Sequence, residues 1–249
     1  LTRTFWFSFS IFLSVLGRVA ALDPQSILES MDEALVPARY HSVMEMTTIK
    51  PDKTSVLVID LLYRKGTGSL MELISPARVK GTRLLQKSEG LWLYSPSSGS
   101  TKPLRLSPKQ SFQGSVFSNG DVAEPHFSRD YAAAIVDHES VEVVGLGQVD
   151  TVVLEGVPKT SQAQYGKIKA WVRPGSNLPV RIDYTAKSGL LFKRMSFSDY
   201  QTLGGAIRPS KYKMESFEEP GTYTLLAINE LQARPDLPES DFSETRLTR

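Results

Sequence analysis

Three histidines, His41, His126 and His138, are the first side chains on which chemistry could rest. His138 lies between Asp137 and Glu139, a triplet in which a carboxylate could orient an imidazole as a general base for hydrolysis. A charged surface turn explains the same three residues more simply, and no Gly-x-Ser-x-Gly elbow offers a nucleophile. No His-Glu-x-x-His occurs, so no histidine has the helical spacing of a metal pair. Gly145-x-Gly147 lacks a third glycine and runs into strand-like residues, which removes the dinucleotide reading. Glu218-Glu219 adjoin Pro220-Gly221, a turn in which paired carboxylates meet water, whereas a glycosidase sets two carboxylates across a cleft. The expectation is therefore not an enzyme, with no cofactor and no metal. An exported hydrolase using His138 is kept as the minor alternative.

The apolar residues are more telling. Met44, Met46, Met71, Met195 and Met214 fall in strand-like stretches, where Val and Ile are the usual choice. Methionine is flexible and polarizable, so it suits a lining that adapts to variable apolar guests, although it also fills core gaps. Trp92, Tyr94, Phe112, Phe117 and Trp171 add rigid apolar area. These ten residues are the candidate ligand-binding set, as the wall and rim of a hydrophobic cavity. Phe112 to Asp121 is expected to form a mobile rim, because Gly114 and Gly120 bracket it with permissive backbone.

The elements that must position them follow from periodicity. Asp23-Pro24-Gln25-Ser26 opens a helix in which Ile27, Leu28, Met31 and Leu35 share a face until Pro37. From Tyr40 the period switches to two, and Pro51-Asp52-Lys53 turns a hairpin into Ser55 to Tyr63. Leu70 to Ile74, Val79 to Gln86, Leu91 to Tyr94 and Lys102 to Leu106 continue an antiparallel meander. Ser107 to Phe127 interrupts it with serines and glycines. Phe127 to Val136, with its three alanines, reads as a second helix. Strands resume at Ser140 to Val144, Thr151 to Glu155, Tyr165 to Arg173, Pro179 to Thr185, Leu190 to Tyr200, Ala206 to Glu215 and Tyr223 to Leu231. Phe242 is a candidate to dock from the tail. Alternation leaves the inward face open for several strands; Trp171, for one, alternates against Ile168, Ala170 and Val172. The fold class is mainly β: an incomplete, strongly curved antiparallel barrel of about eleven strands, with two or three helices covering its concave face.

Residues 1–21 read as a secretory signal. Arg3 precedes an apolar run from Phe5 to Leu16, shorter than the ~20 residues that a spanning helix needs. Val19 and Ala21 fit the small positions before a cut near Ala21. Residues 22–249 are expected to form a single domain. Arg3 and Arg18 are the only charges in the signal, so its removal leaves 27 basic residues against 27 acidic ones. That balance argues against a nucleic-acid partner, which demands clustered positive charge. Cysteine is absent, which removes disulfides, thiolate metal sites and a lipid-modified Cys. A periplasmic location is expected, because small extracellular domains are more often disulfide-stapled. A monomer that does not itself span the membrane is expected.

Val79-Lys-Gly-Thr-Arg-Leu-Leu85, Trp92-Leu-Tyr-Ser-Pro96 and Phe112-Gln-Gly-Ser-Val-Phe-Ser-Asn-Gly-Asp121 together resemble outer membrane lipoprotein-sorting proteins of the LolA-like superfamily. The branch resembled is the one found beside RND-type (MMPL-like) exporters. Tyr165-Gly-Lys-Ile-Lys-Ala-Trp171, Leu178-Pro-Val-Arg181 and Phe197-x-x-Tyr200 match in order and spacing. The resemblance implies a half-barrel lidded by helices. It further implies a carrier or chaperone that shelters acyl chains of lipoproteins or lipids on the way toward the outer membrane. An inner-membrane RND-type exporter is an implied partner, and a non-carrying accessory subunit of that exporter is the alternative role.

Overall fold

The computed structural model describes residues 23–99, 102–123, 127–161 and 163–248; the expected signal, residues 1–21, and His126 lie outside the described residues. Helix α1 spans Pro24–Leu35. Asp23 caps it by accepting from the Ser26 and Gln25 amides at 3.0 and 3.4 Å, and Pro24 stands in its first turn, where no amide donor is missed. Ile27, Leu28, Met31 and Leu35 are buried along one stripe, as their spacing predicts.

The next strands are β1 (Arg39–Lys50), β2 (Lys53–Arg64), β3 (Gly68–Ser75), β4 (Thr82–Lys87), β5 (Gly90–Tyr94) and β6 (Leu104–Leu106). Two short helices, α2 (Asn119–Ala123) and α3 (Phe127–Asp130), end the interruption. Strands β7 (Tyr131–Val143), β8 (Gly147–Pro158), β9 (Lys167–Val172), β10 (Pro179–Thr185), β11 (Leu191–Leu203), β12 (Ala206–Ser216) and β13 (Tyr223–Ala233) complete the sheet. A final helix, α4, spans Glu244–Thr248.

All thirteen strands form one antiparallel sheet in the order β6-β5-β4-β3-β2-β1-β13-β12-β11-β10-β9-β8-β7. Every neighbour is consecutive in sequence except β1 and β13, which join the two halves at mid-sheet from Tyr40↔Ala233 to Ile49↔Tyr223. The edges β6 and β7 do not meet, so the curved sheet is an open half-barrel. The described sheet has thirteen strands where about eleven were expected, and its open, curved, antiparallel form is the one expected.

The expected helix from Phe127 to Val136 is a correction. Only Phe127–Asp130 is helical, and from Tyr131 the chain is β7, paired with β8 from Tyr131↔Pro158 to Val143↔Gly147. The alanine run favours a helix by only tenths of a kcal/mol per residue. A long ladder on an otherwise unsatisfied sheet edge outweighs that. The strand expected from Val79 also starts late, at Thr82, because the Gly81 amide closes a turn onto the Leu73 carbonyl at 2.9 Å.

The main core lies on the concave side, between α1, residues 107–123 with Phe127, and the inward residues of both sheet halves. Two smaller clusters lie on the other face. Leu237, Phe242 and Leu247 from the C-terminal tail cover Leu70 and Leu85, so Phe242 does dock. Val143, Val153, Trp171 and Val180 form the other. Among the described residues no helix is long and apolar enough to cross a membrane.

Candidate functional site: an apolar hollow under a strap

Residues 107–123 form a strap over the concave face, and most of its backbone hydrogen bonds are internal. Phe112 donates to the Phe117 carbonyl at 2.8 Å, Asn119 to Gln110 at 2.8 Å and Gly120 to Pro108 at 2.8 Å. At the tip, Ser115 donates back to Phe112 at 2.9 Å across Gln113 (φ 50°) and Gly114 (φ 79°), the left-handed pair of a tight hairpin turn. Gly114 is thus a turn residue. Gly120 is a close-approach residue, since a Cβ there would stand 2.7 Å from Gln164 Oε1. The turn drives Phe112 and Phe117 into the core, where both are buried.

Among the described residues few hydrogen bonds fasten the strap to the sheet. The Val116 amide donates to Thr224 Oγ1 at 3.0 Å, and that hydroxyl pairs with Thr48 Oγ1 at 3.0 Å. The other attachment is a buried polar knot around Asp121. Its Oδ2 accepts from the Ser118 amide at 2.8 Å and from the Tyr165 hydroxyl at 2.8 Å, and Lys193 Nζ stands 3.7 Å away. Gln164 Nε2 donates to the Ser118 hydroxyl and to the Tyr165 hydroxyl oxygen. Burial lowers the Lys193 ammonium below the ordinary lysine value despite the carboxylate beside it, and burial together with Asp121 pushes the Tyr165 phenol up. Helix α1 is fastened differently: Asp32 accepts from the Phe127 and Ser128 amides, and Gln25 bonds both Ser128 O and Ala133 N. The helix and β7 are therefore one tied unit, and the strap is the more lightly held cover.

Beneath the strap are two hollows of ≈ 60 Å³ each. One is almost wholly apolar, lined by Leu35, Met44, Tyr212, Leu226, Ile228 and Leu231 among others. The second is lined by Tyr131, Tyr165 and Tyr184. Phe117, Asp121, Phe127 and Met195 border both, so these side chains divide one apolar space into two. Ligand sites usually enclose ~300–1,000 Å³. The described state is therefore closed, and a guest of any length requires Phe117 and the strap to move.

The structure brings together seven of the ten sequence-predicted residues. Met44, Met46, Met71, Phe112, Phe117, Met195 and Met214 all belong to the concave core, and Met44, Phe117 and Met195 border the hollows directly. The remaining three lie on the opposite face. Trp92 and Tyr94 pack beside Leu70 and Leu85 under the C-terminal tail, while Leu91 and Leu93 take the inner side. Trp171 points outward because Ile168, Ala170 and Val172 point inward; its indole donates to Glu139 Oε2 at 2.8 Å, with Arg181 stacked 3.8 Å from the ring. A strand's period of two requires this separation. Tyr212, Phe127 and Leu231 were missed; Tyr212 could have been found from its phase with Met214 on one strand.

Neither of the two described histidines, His41 and His138, joins the hollows. His41 Nε2 pairs with Asp60 Oδ2 at 2.9 Å, and His138 is exposed, with its amide turned to the Asp137 carboxylate. Among the described residues no three His, Asp or Glu side chains could hold a metal ion together.

Comparison with known proteins agrees with this geometry. A family model whose description reads "uncharacterized protein" matches residues 65–249. No curated protein matches by sequence. Among solved structures, a LolA superfamily protein from Nitrosomonas europaea is 27% identical, with a TM-score of 0.81 over 91% of this chain and 100% of that one. A DUF1329 family protein from Desulfovibrio piger superposes with a TM-score of 0.79 at 24% identity, over 90% of this chain and 97% of its own. A domain from Vibrio parahaemolyticus described as an outer membrane lipoprotein-sorting domain gives 0.77 at 23% identity, over 91% and 98%. The open half-barrel and the likeness to the Nitrosomonas europaea protein, over nearly the whole of both chains, show that the chain belongs to the LolA-like superfamily.

Proposed function

We propose that this protein is a periplasmic carrier that shelters acyl chains of lipoproteins or lipids in its concave face. The observation that carries the reading is the divided apolar hollow beneath a lightly fastened strap. Each methylene transferred from water contributes about 0.8 kcal/mol, so one acyl chain offsets several kcal/mol of strap displacement. Met44 and Met195 at the hollows adapt to chains of different shape, and Phe117 fills the space when no chain is bound. The expected signal at residues 1–21 supports export, and the structural likeness to a LolA superfamily protein supports the carrier role.

Mass spectrometry of lipid extracted from the purified protein, beside Phe117→Asp, tests the proposal. Stoichiometric acyl lipid in the wild type and its loss from a folded Phe117→Asp protein are expected. Wild-type protein that is empty and fails to take up a fluorescent fatty acid overturns it.

A further inference from the structure

Asp121 is the only acidic residue in the strap, and most of the groups that hold its carboxylate lie outside the strap. The Tyr165 hydroxyl stands 2.9 and 2.8 Å from the two oxygens, Gln164 Nε2 stands 3.4 Å from Oδ1, and Lys193 Nζ stands 3.7 Å from Oδ2. The strap itself adds the Ser118 amide. The three outside donors are set by the sheet. The Tyr131 hydroxyl pins the Tyr165 backbone, accepting from its amide at 3.1 Å and donating to its carbonyl at 3.3 Å. Lys193 is buried on β11 in phase with Met195 and Phe197, and its rung partner on β10 is Tyr184. Together they form a carboxylate cradle that stays with the sheet when the strap lifts.

The cradle adjoins the apolar space. Asp121 borders both hollows, and Gln164, Tyr165 and Tyr184 line one of them. Met195, which also borders both, is two residues from Lys193, about 7 Å along the strand. A chain lying over Met195 reaches Met44, Leu226 and Ile228 in the other hollow. Lifting the strap withdraws Asp121, the one acidic group within ion-pair distance of Lys193 among the described residues. A buried ammonium left without its counter-charge is strongly unfavourable. A neutral guest leaves that cost in place, whereas an anionic head removes it. Two further carboxylates are near, and neither replaces Asp121. Asp130 lines the same hollow, but Arg129 donates to both its oxygens at 2.9 and 3.1 Å. Glu218 is exposed and acts on Lys193 from beyond ion-pair distance.

Resting on the carrier reading above, we propose that Asp121 stands in for the head group of the ligand. Once the strap lifts, Tyr165, Gln164 and Lys193 bind the anionic head, carboxylate or phosphate, of an acyl-chain ligand, whose tail lies over Met195 into the hollows. The charged lysine and the phenol are the donors such heads accept most strongly. The strap's carboxylate and the ligand's head compete for one place, so strap closure and head-group binding exclude each other.

The test measures binding of oleate, oleoyl lysophosphatidate and uncharged monoolein to the full chain in wild type, Asp121→Asn, Lys193→Met and the double variant. The quantity read is the preference for an anionic probe over monoolein. Asp121→Asn removes the competitor and should raise that preference about tenfold or more above wild type for at least one anionic probe. Which probe gains tells a carboxylate head from a phosphate head. Lys193→Met should abolish the preference. The double variant removes both charges together, keeps a neutral site if Lys193→Met alone fails to fold, and should bind all three probes alike. A fastening without a head-group site predicts instead that Asp121→Asn, by loosening the strap, raises uptake of all three probes equally. That result overturns the proposal and leaves the carrier reading intact, as does a preference that persists in the double variant. Failure of every probe to bind any of the four proteins overturns the carrier reading, and this site with it.

Discussion

Lys193 Nζ stands 3.7 Å from Asp121 Oδ2, and both side chains are about nine-tenths buried. One belongs to the sheet and the other to the strap, so this pair decides how firmly the hollow is covered. A buried ion pair contributes little net stability, but removing one partner costs about 3–5 kcal/mol. Asp121→Asn should therefore loosen the strap more than Asp121→Asn/Lys193→Met does. Hydrogen exchange of the amides in 107–123 would show fast exchange in the single variant and near wild-type protection in the double. Equal protection in all three proteins would exclude the pair as a fastening.

The two faces of the sheet should answer mutation differently. Trp171→Ala empties an outer cluster and should cost about 3–5 kcal/mol in urea unfolding without changing acyl-chain affinity in protein that remains folded. Phe117→Ala should cost stability too, yet raise acyl-chain uptake by clearing the divider between the hollows. A fall in affinity with Trp171→Ala would contradict this division.

Asp183 predicts an acid limit. Burial alone raises its carboxyl, but double hydrogen bonds from Arg181 (2.9 and 2.6 Å) and Arg194 (2.7 and 2.8 Å) prevail and hold it below the ordinary value of 3.8. A carboxylate depressed by folding stabilises the fold fully above its unfolded value. That contribution is lost as pH falls below 3.8 through the folded value. Urea unfolding between pH 5 and pH 2 should show this loss in the wild type and a flatter profile, from a lower start, in Asp183→Asn.

The C-terminal tail should behave as part of the core. Leu237, Phe242 and Leu247 cover Leu70 and Leu85, both buried on the outer face. Phe242→Ala should cost about 3–5 kcal/mol, read as a lower urea midpoint. A midpoint unchanged from wild type would mean that the tail is a passive covering.

Much of this was legible in the sequence because period two is a strong signal where one face is buried. The hairpin from Tyr40 and the strand Pro179–Thr185 follow from it, as the stripe of α1 follows from the helical period of 3.6. The face of a strand is a different matter. Trp92, Tyr94 and Trp171 look like cavity aromatics by type, but both faces of this sheet carry packed clusters, so type cannot tell inner from outer. The alanine run at 132–134 misleads for a related reason: its helical preference is local, and the partner that overrides it, β8, lies beyond a turn.

The union of β1 with β13 has a kinetic meaning. Tyr40 must find Ala233 before the half-barrel has a middle, and such distant pairings delay folding because a long chain must first close on itself. Until the last strand is available, both halves keep an open edge and the concave face stays unfinished. A chain wired this way can pair its sequence-adjacent hairpins early, yet it cannot close the two halves into one concave face until its C-terminal strand has been made.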